Sequence, residues 1–297
     1  MSEPIAYLNG AWLPAAEARV PVLDRGFIFG DGVYEVIPVY AGAPLRMGEH
    51  LARLRRSLHA IRMIDPHPAE EWAALLRELI DRHPWPDQML YLQVTRGVAR
   101  RDHAFPEDAA PTVLMMSSPL NTPSRDEVER GVAAVAATDY RWGRCDIKSI
   151  ALLGNVLLRQ VAVDAGAVET VLFRDGFLTE GAASNILVVS HGVLLAPPRS
   201  HLMLTGITYD LVLELAAAAG VPHQVREVTE RETLAAEEIW LTSSTKEVLA
   251  ITTLNGRPVG KGVPGPIFRR MHALYQEFKS ACIASRAALH AAGETRP

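Results

Sequence analysis

The chain has 297 residues, of which 48% are hydrophobic and 22% are charged, and its formal net charge is −4 at pH 7. This composition is typical of a globular protein with a substantial core, and it excludes the basic excess of a nucleic-acid-binding domain. No apolar run reaches the ~20 residues that a membrane span needs. Two cysteines do not make a disulfide framework, and the N-terminus has no apolar leader, so we expect free thiols in a cytoplasmic protein.

The first 120 residues predict a small α+β domain. An Asn-Gly pair between apolar runs in IAYLNGAWLPA is typical of a β-hairpin, and VYEVIPVYAGAPLRM predicts a second hairpin. Apolar residues at helical spacing then predict two helices, GEHLARLRRSLHAIRM and PAEEWAALLRELIDRH. Two buried strands complete the predicted domain, QMLYLQVTRG and PTVLMMSS.

A larger α/β domain is predicted over residues 121–297. The boundary is expected in SSPLNTPSRDE (117–127), which is rich in Pro, Ser and Asn and lacks periodicity. After it, predicted strands alternate with predicted helices, as in an α/β fold. The strands are AAVAAT, VETVLFRDG, NILVVSHGVLLAPP, EIWLTSS and VLAITTLNGRPVG, and the helices are LLGNVLLRQVAVDAG, ITYDLVLELAAAAG and PIFRRMHALYQEFKSACIAS.

Lys148 is the first of four lysines in a chain that otherwise uses arginine for its positive charge. It lies in CDIKSIALLG, between Ile147 and an apolar run. An amine among apolar side chains loses hydration, which favours its neutral form. A neutral amine can attack a carbonyl and form a Schiff base. The alternative is a lysine that keeps its ammonium group in water.

Three later segments carry groups that a phosphorylated pyridine cofactor requires. Glu180 in TEGAASNI can pair with the ring nitrogen of pyridoxal phosphate, or it is a solvated acid in a turn that Asn185 caps. Gly206 precedes a helix whose free N–H groups suit a phosphate, although an ordinary helix start has the same pattern. The hydroxyls of Ser243 and Ser244 in LTSSTKE can donate to phosphate or form local turn bonds.

These segments follow one another in an order that resembles the fold-type IV pyridoxal-phosphate transaminases. The motifs that carry the resemblance are DRGFIFGDGVYEV (24–36), EHLARL (49–54), CDIKS (145–149), TEGAASNI (179–186) and LTGIT (204–208). The resemblance covers about residues 3–280. It implies the α/β fold of the D-amino acid aminotransferases, with pyridoxal 5′-phosphate at the interface of the two domains and no metal.

The resemblance also implies which residues contact the cofactor. Lys148 would form the Schiff base and move the Cα proton of the substrate, and Glu180 would pair with the pyridine nitrogen. The implied phosphate contacts are the guanidinium of Arg53, the N–H groups of Ile207 and Thr208, and the hydroxyls of Ser243 and Ser244. Arginine suits a phosphate because its planar fork donates two parallel hydrogen bonds.

The segment VTRGVARRDHAFP (94–106) resembles the substrate loop of D-amino acid transaminases. In that group an arginine, a histidine two residues later and a tyrosine bind the substrate carboxylate, and these positions are Arg101, His103 and Tyr34 here. All three side chains can donate to one carboxylate, and Arg100 is the neighbouring alternative to Arg101. Without the resemblance, RRDH is typical of a solvated loop. The resemblance further implies a homodimer in which this loop reaches the neighbouring subunit's site.

We therefore expect a D-amino acid transaminase that works by a ping-pong reaction. It would move an amino group between a D-amino acid, such as D-alanine or D-glutamate, and a 2-oxo acid, such as pyruvate or 2-oxoglutarate. A branched-chain L-amino acid transaminase and an aminodeoxychorismate lyase are the alternatives, and the arginine–histidine pair argues against both. An R-selective amine transaminase fits less well. A catalytically silent cofactor-binding protein is the alternative from another class, and the full set of cofactor residues argues against it.

Overall fold

The computed structural model describes residues 3–294 of the chain, and these fall into two compact units. Unit 1 contains the chain up to Asn121, the short segment Ile147–Leu152 and the C-terminal end from Ala281. Unit 2 contains Thr122–Asp146 and Leu153–Ser280. The chain therefore passes from one unit to the other more than once, and the segment with Lys148 belongs to unit 1.

Within the described residues, unit 1 is built on a six-stranded antiparallel sheet with the strand order β2-β1-β6-β5-β3-β4. Its elements are β1 (Ile5–Leu8), β2 (Ala11–Pro14), a 3-10 turn (Ala15–Glu17), α1 (Arg25–Phe29), β3 (Gly32–Tyr40), β4 (Ala43–Pro44), α2 (Met47–Ala60), α3 (Ala69–Asp81), β5 (Gln88–Thr95) and β6 (Thr112–Pro119). The predicted helices and buried strands of this region are confirmed. The short helix α1 was not predicted.

The two predicted hairpins of unit 1 are present, and each turns through two residues with positive φ. Asn9 and Gly10 have φ of 49° and 93°, and Ala41 and Gly42 have φ of 46° and 74°. Positive φ at both central residues defines the type I′ turn that matches the twist of paired strands. The prediction that LRM continues the second hairpin is wrong, because Arg46 is left-handed at φ 52° and leads into α2.

Helix α2 packs on the sheet of unit 1 through the leucines whose spacing predicted it. Leu51, Leu54 and Leu58 are buried in one cluster with Ile37 of β3 and Leu92 of β5. Burying a leucine side chain contributes about 2 kcal/mol, so this face of α2 is firmly fixed. The same packing holds the neighbouring polar positions of α2 next to β3, where part of the candidate site lies.

Over the described part of the chain, unit 2 forms a nine-stranded mixed sheet with the order β12-β11-β10-β13-β14-β7-β8-β9, and β15 pairs with β14. Its elements are α4 (Arg125–Arg130), β7 (Val132–Thr138), α5 (Leu153–Asp164), β8 (Glu169–Arg174), β9 (Phe177–Gly181), β10 (Asn185–Ser190), β11 (Val193–Ala196), α6 (Ile207–Ala218), β12 (His223–Val225), α7 (Glu230–Leu234), β13 (Glu238–Ser243), β14 (Glu247–Leu254), β15 (Arg257–Pro258) and α8 (Pro266–Glu294). The α/β prediction is confirmed. No helix among the described residues is long and apolar enough to cross a membrane.

The segment 117–127 is more ordered than the predicted linker. Strand β6 runs to Pro119, and α4 begins at Arg125 with a capping box. The Ser124 side chain accepts a hydrogen bond from Glu127 N, and the Glu127 carboxylate accepts one from Ser124 N. A serine followed by glutamate three residues later is the sequence signature of this cap. The sequence therefore indicates the start of α4, which the linker prediction did not include.

Candidate active site

Lys148 lies between β7 and α5, in a segment that packs beside β3 and α2. Its carbonyl accepts a hydrogen bond from Tyr34 N at 3.0 Å, and its N–H donates to Ser57 Oγ at 3.3 Å. The side chain is half-buried, and Nζ lies 4.2 Å from the centre of the Tyr34 ring. Lys246 and Lys279 each pair with a glutamate, whereas no described residue forms an ion pair with Lys148. Its amine is therefore available for covalent chemistry.

Arg53 is buried on α2 and is held by Glu35 of β3. Its Nε and Nη2 donate to the two carboxylate oxygens of Glu35, each at 2.8 Å, and His50 Nδ1 lies 2.8 Å from Glu35 Oε2. Burial raises the pKa of Glu35, but the charge and hydrogen bonds of Arg53 outweigh it and hold that pKa well below its usual range. Burial lowers the pKa of His50, which favours the neutral ring. The ionised Glu35 thus fixes the direction of the guanidinium.

Tyr34 and Glu35 are neighbours on β3, so their side chains point to opposite faces of the sheet. The Tyr34 ring stacks on Tyr91, with 5.7 Å between ring centres, and its other contact is the amine of Lys148. The structure therefore brings two predicted site residues, Tyr34 and Lys148, directly together. It places Arg53 beyond the other face of the same strand.

Arg101 and His103 lie on the exposed loop between β5 and β6. Both pack against Phe29, with the guanidinium carbon of Arg101 5.5 Å from the ring centre and the His103 ring centre 5.4 Å from it. Within the described chain, no hydrogen bond or ring contact joins either side chain to Tyr34. The structure brings the two loop residues together but does not bring them to the tyrosine of their own chain.

In unit 2, Glu180 of β9 is buried in a network of donors. Arg141 Nη1 donates to Oε1 at 2.6 Å, while Leu204 N and Asn185 Nδ2 donate to Oε2 at 3.1 and 3.3 Å. Arg141 is fixed in turn by Asp139, which accepts from its Nε and Nη2 at 2.9 Å each. Burial raises the pKa of Glu180 to about 7, against the opposing charge of Arg141. A cation that binds beside Glu180 would therefore favour the ionised form of its carboxyl group.

Asn185 connects Glu180 to the start of α6. Its Oδ1 accepts a hydrogen bond from Gly206 N at 2.9 Å, and a Cβ on Gly206 would lie on top of that oxygen. Gly206 is the N-cap residue and offers no side chain, so no side chain caps the first turn of the helix. The first-turn N–H groups of Ile207 and Thr208 are thus the groups that an anion would find at this end of α6.

The predicted hydroxyl pair lies on the strand beside Asn185. Strand β13 pairs with β10 so that Thr242 stands opposite Asn185, and Ser243 ends the strand. Ser243 Oγ accepts from Lys246 N at 3.0 Å, which shapes the turn that contains Ser244. Unit 2 therefore joins its predicted carboxyl and helix start through one asparagine, and the predicted hydroxyls follow at the end of the neighbouring strand.

Several residues of these networks were not predicted. Arg141 stands in DYRWGRC, where no periodicity marks it, and it reaches Glu180 only through the fold. The bridging role of Asn185 also has no local signal beyond its place in TEGAASNI. Glu35 did have one, because an acid inside an apolar strand must find a cation when it is buried, and α2 supplies Arg53.

Residues 32–254 match the family model described as amino-transferase class IV, and the chain belongs to this family. The D-alanine aminotransferase of Bacillus licheniformis is 40% identical over 268 residues, which cover 90% of this chain and 94% of that protein. The D-alanine aminotransferase of Staphylococcus aureus (strain MSSA476) is 36% identical over 273 residues, with coverage of 92% and 96%. The resemblance to the fold-type IV transaminases is thereby confirmed.

Solved structures agree on the fold. The T.th. branched-chain amino acid aminotransferase, crystallised with pyridoxamine 5′-phosphate, has a TM-score of 0.87 against this chain. It is 26% identical, and the match covers 93% of this chain and 94% of that one. The two chains therefore share the fold-type IV architecture over nearly their whole length.

Proposed function

We propose that this protein is a D-amino acid transaminase that uses pyridoxal 5′-phosphate. Its donor would be a D-amino acid such as D-alanine or D-glutamate, and its acceptor a 2-oxo acid such as pyruvate or 2-oxoglutarate. The observation that carries the proposal is the 34–40% identity to D-alanine aminotransferases over about nine-tenths of the chain. The branched-chain enzymes share the fold at lower identity, 26% for the T.th. protein.

The donor groups of the two units fit this cofactor. Unit 1 offers an amine without an ion pair among the described residues, Lys148, for the aldehyde group. Unit 2 offers the buried Glu180 for the ring nitrogen, and the uncapped start of α6 at Thr208 with the hydroxyls beside it for the phosphate. We propose Arg53 as a further phosphate ligand.

Bound pyridoxal phosphate supplies an aldehyde that reacts with amines and a ring that withdraws electrons from the substrate Cα. Lys148 Nζ would hold the aldehyde group of the bound cofactor, and as a free amine it would take the Cα proton of the substrate as a general base. The face of the Tyr34 ring attracts an ammonium group, so the 4.2 Å contact orients Nζ when it is protonated. Glu180 would hold a proton at the ring nitrogen, and Arg141 keeps the Glu180 carboxylate in place.

We further propose a homodimer in which Arg101 and His103 bind the substrate carboxylate in the neighbouring subunit, together with the tyrosine of that site. In support, both side chains are exposed and make no contact with Tyr34 of their own chain within the described residues. The surface beside the loop is apolar, with Val22 73% and Phe27 78% exposed. Large apolar side chains exposed together are typical of an interaction surface.

We place the enzyme in the cytoplasm. Cys145 and Cys282 are both free thiols in the described structure, as is usual where the surroundings are reducing. Burial raises the pKa of Cys145 to about 11, so this thiol is poorly reactive despite its place near Glu180.

The experiment that tests the function is a turnover assay with D-alanine and 2-oxoglutarate, in which pyruvate is measured through lactate dehydrogenase. We expect pyruvate with D-alanine and little with L-alanine. Lys148→Ala should abolish it, whereas Lys261→Ala, a change at an exposed lysine, should not. Turnover of L-leucine and not of D-alanine, with the first measured as glutamate formed from 2-oxoglutarate, would make this a branched-chain enzyme. Pyruvate from aminodeoxychorismate without an acceptor would make it a lyase.

A further inference from the structure

The substrate loop, residues 97–106, has exposed side chains on a backbone that is anchored at its start. Arg25 N donates to Gly97 O at 2.9 Å, and Asp24 and Val98 form an antiparallel bridge. Gly97 has φ of 90°, and a Cβ there would collide with a backbone carbonyl oxygen. The chain therefore leaves β5 in one fixed direction.

The far end of the substrate loop is held by the Phe105 ring, which contacts two guanidinium groups. The guanidinium carbon of Arg96 lies 3.8 Å from the centre of the Phe105 ring, and that of Arg62 lies 5.5 Å from it. Arg96 is buried, and its Nη2 donates to Ile61 O at 2.7 Å. Cation–π contacts with a guanidinium that is itself fixed give the loop a second anchor.

Between these two anchors the loop backbone is held by the side chain of Arg25. Arg25 Nη1 donates to Asp102 O at 2.6 Å, and its Nε donates to Asp31 Oδ2 at 2.8 Å. The residue is only 3% exposed although it carries a full charge. A buried guanidinium must direct its donors to fixed acceptors, and here one acceptor is a carboxylate and the other is the loop.

The carboxylate of Asp31 makes this arrangement rigid. Asp31 Oδ2 also accepts from Arg96 Nε at 2.8 Å, so one oxygen joins the middle of the loop to its far anchor. Burial raises the pKa of Asp31, but the hydrogen bonds and charges of Arg96 and Arg25 outweigh it and leave that pKa below its usual value. The carboxylate is therefore ionised at neutral pH, and Arg25 keeps its partner.

Asp102 is the residue between Arg101 and His103, so the carbonyl that Arg25 holds belongs to the peptide group that leads into His103, one residue after Arg101. We infer that Arg25 is a positioning residue for the substrate carboxylate, because it fixes the backbone between the two residues whose side chains bind it. The same guanidinium lies 4.8 Å from the ring of Phe29, the ring that Arg101 and His103 also contact. Backbone and side chains of the loop thus share one support.

This inference rests on the proposed function, since it assumes that the loop binds a carboxylate. It predicts an effect on substrate binding and not on the chemical step, because Arg25 touches neither Lys148 nor Glu180. Loss of a hydrogen bond to a charged donor weakens the dependent interaction roughly 10- to 100-fold. The half-saturating concentration of D-alanine should rise by that factor, while the maximal rate stays close to that of the wild type.

The test is the single half-reaction of the cofactor-loaded protein with D-alanine, followed by stopped-flow absorbance. Arg25→Met removes both hydrogen bonds, and Arg25→Lys keeps a charge beside Asp31 but cannot also reach Asp102 O. We expect both variants to raise the half-saturating concentration, with cofactor affinity unchanged, and the lysine variant to keep the wild-type melting temperature. Arg19→Met is the matched control, since Arg19 donates only to carbonyls outside the loop among the described residues.

A double-mutant comparison decides whether Arg25 acts through the loop residues. In a background that lacks both binding side chains, Arg101→Met with His103→Ala, Arg25→Met should have little further effect, because the side chains that it positions are gone. Equal effects in both backgrounds, or a parallel fall of maximal rate and cofactor affinity, would overturn the inference. If Arg25→Met does not fold, Arg25→Lys, which keeps a charge beside Asp31, is compared in its place. A wild-type protein whose absorbance does not change with D-alanine would refute the proposed function instead.

Discussion

Replacing Glu180 by glutamine should remove a pH dependence from the stability of the cofactor-free protein. Burial raises the pKa of Glu180 from 4.5 to about 7, so between these values the folded protein holds a proton that the unfolded chain releases. The stability that this proton confers is full below pH 4.5 and is lost as the pH rises through about 7. The shift corresponds to roughly 3 kcal/mol of unfolding free energy.

Glutamine is neutral like the protonated acid and its Oε1 can still accept from Arg141, but its amide nitrogen cannot accept from Leu204 N as Oε2 does. That loss does not depend on pH, so between about pH 5 and pH 8 the difference in stability should move in favour of Glu180→Gln by up to roughly 3 kcal/mol. Urea unfolding followed by tryptophan fluorescence measures both at each pH. Parallel stability profiles of the two proteins would refute the raised pKa of Glu180.

Three further substitutions test the other contacts of the site. Arg101→Ala should raise KM for D-alanine and for the 2-oxo acid roughly 10- to 100-fold, and a collapse of cofactor affinity in titrations would contradict the place given to the loop. Glu35→Gln should lower the free energy of unfolding by about 3 kcal/mol or more, because the buried Arg53 loses its carboxylate; an unchanged urea midpoint would disprove this. Lys279→Met should weaken the binding of pyridoxal phosphate but not of pyridoxal. Lys279 Nζ donates to Glu247 Oε1 at 2.8 Å, and Glu247, left-handed at φ 54°, closes the turn that contains Ser244. Equal weakening of both ligands would show that the turn does not act on the phosphate.

Local patterns were sufficient for much of the fold. Asn9 and Gly10 predicted a turn that requires positive φ twice, and the structure has it. The leucine spacing that begins at Leu51 predicted a helix, and those leucines are its buried face. The prediction missed α4 although the Ser124 cap is present in the sequence. It missed α1 because five residues are too few to show a helical periodicity.

The networks around the site could not be predicted, because they join residues far apart in the sequence. Arg141 reaches Glu180 across 39 positions, and Arg25 reaches Asp102 across 77. No local periodicity encodes such pairs, and only the packed strands bring them together. Lys148 was predicted by its rarity and its motif, and its contact with the tyrosine ring came from the structure.

The proposed active site accepts the D-enantiomer through Lys148 and the carboxylate-binding loop. The most direct measurement is the visible spectrum of the cofactor-loaded protein after D-alanine is added to one sample and L-leucine to another, without an acceptor. We expect the visible band to be lost with D-alanine only. Loss with L-leucine only would leave Lys148 and Glu180 in their roles but would contradict the D-amino acid assignment and the role of Arg101 and His103.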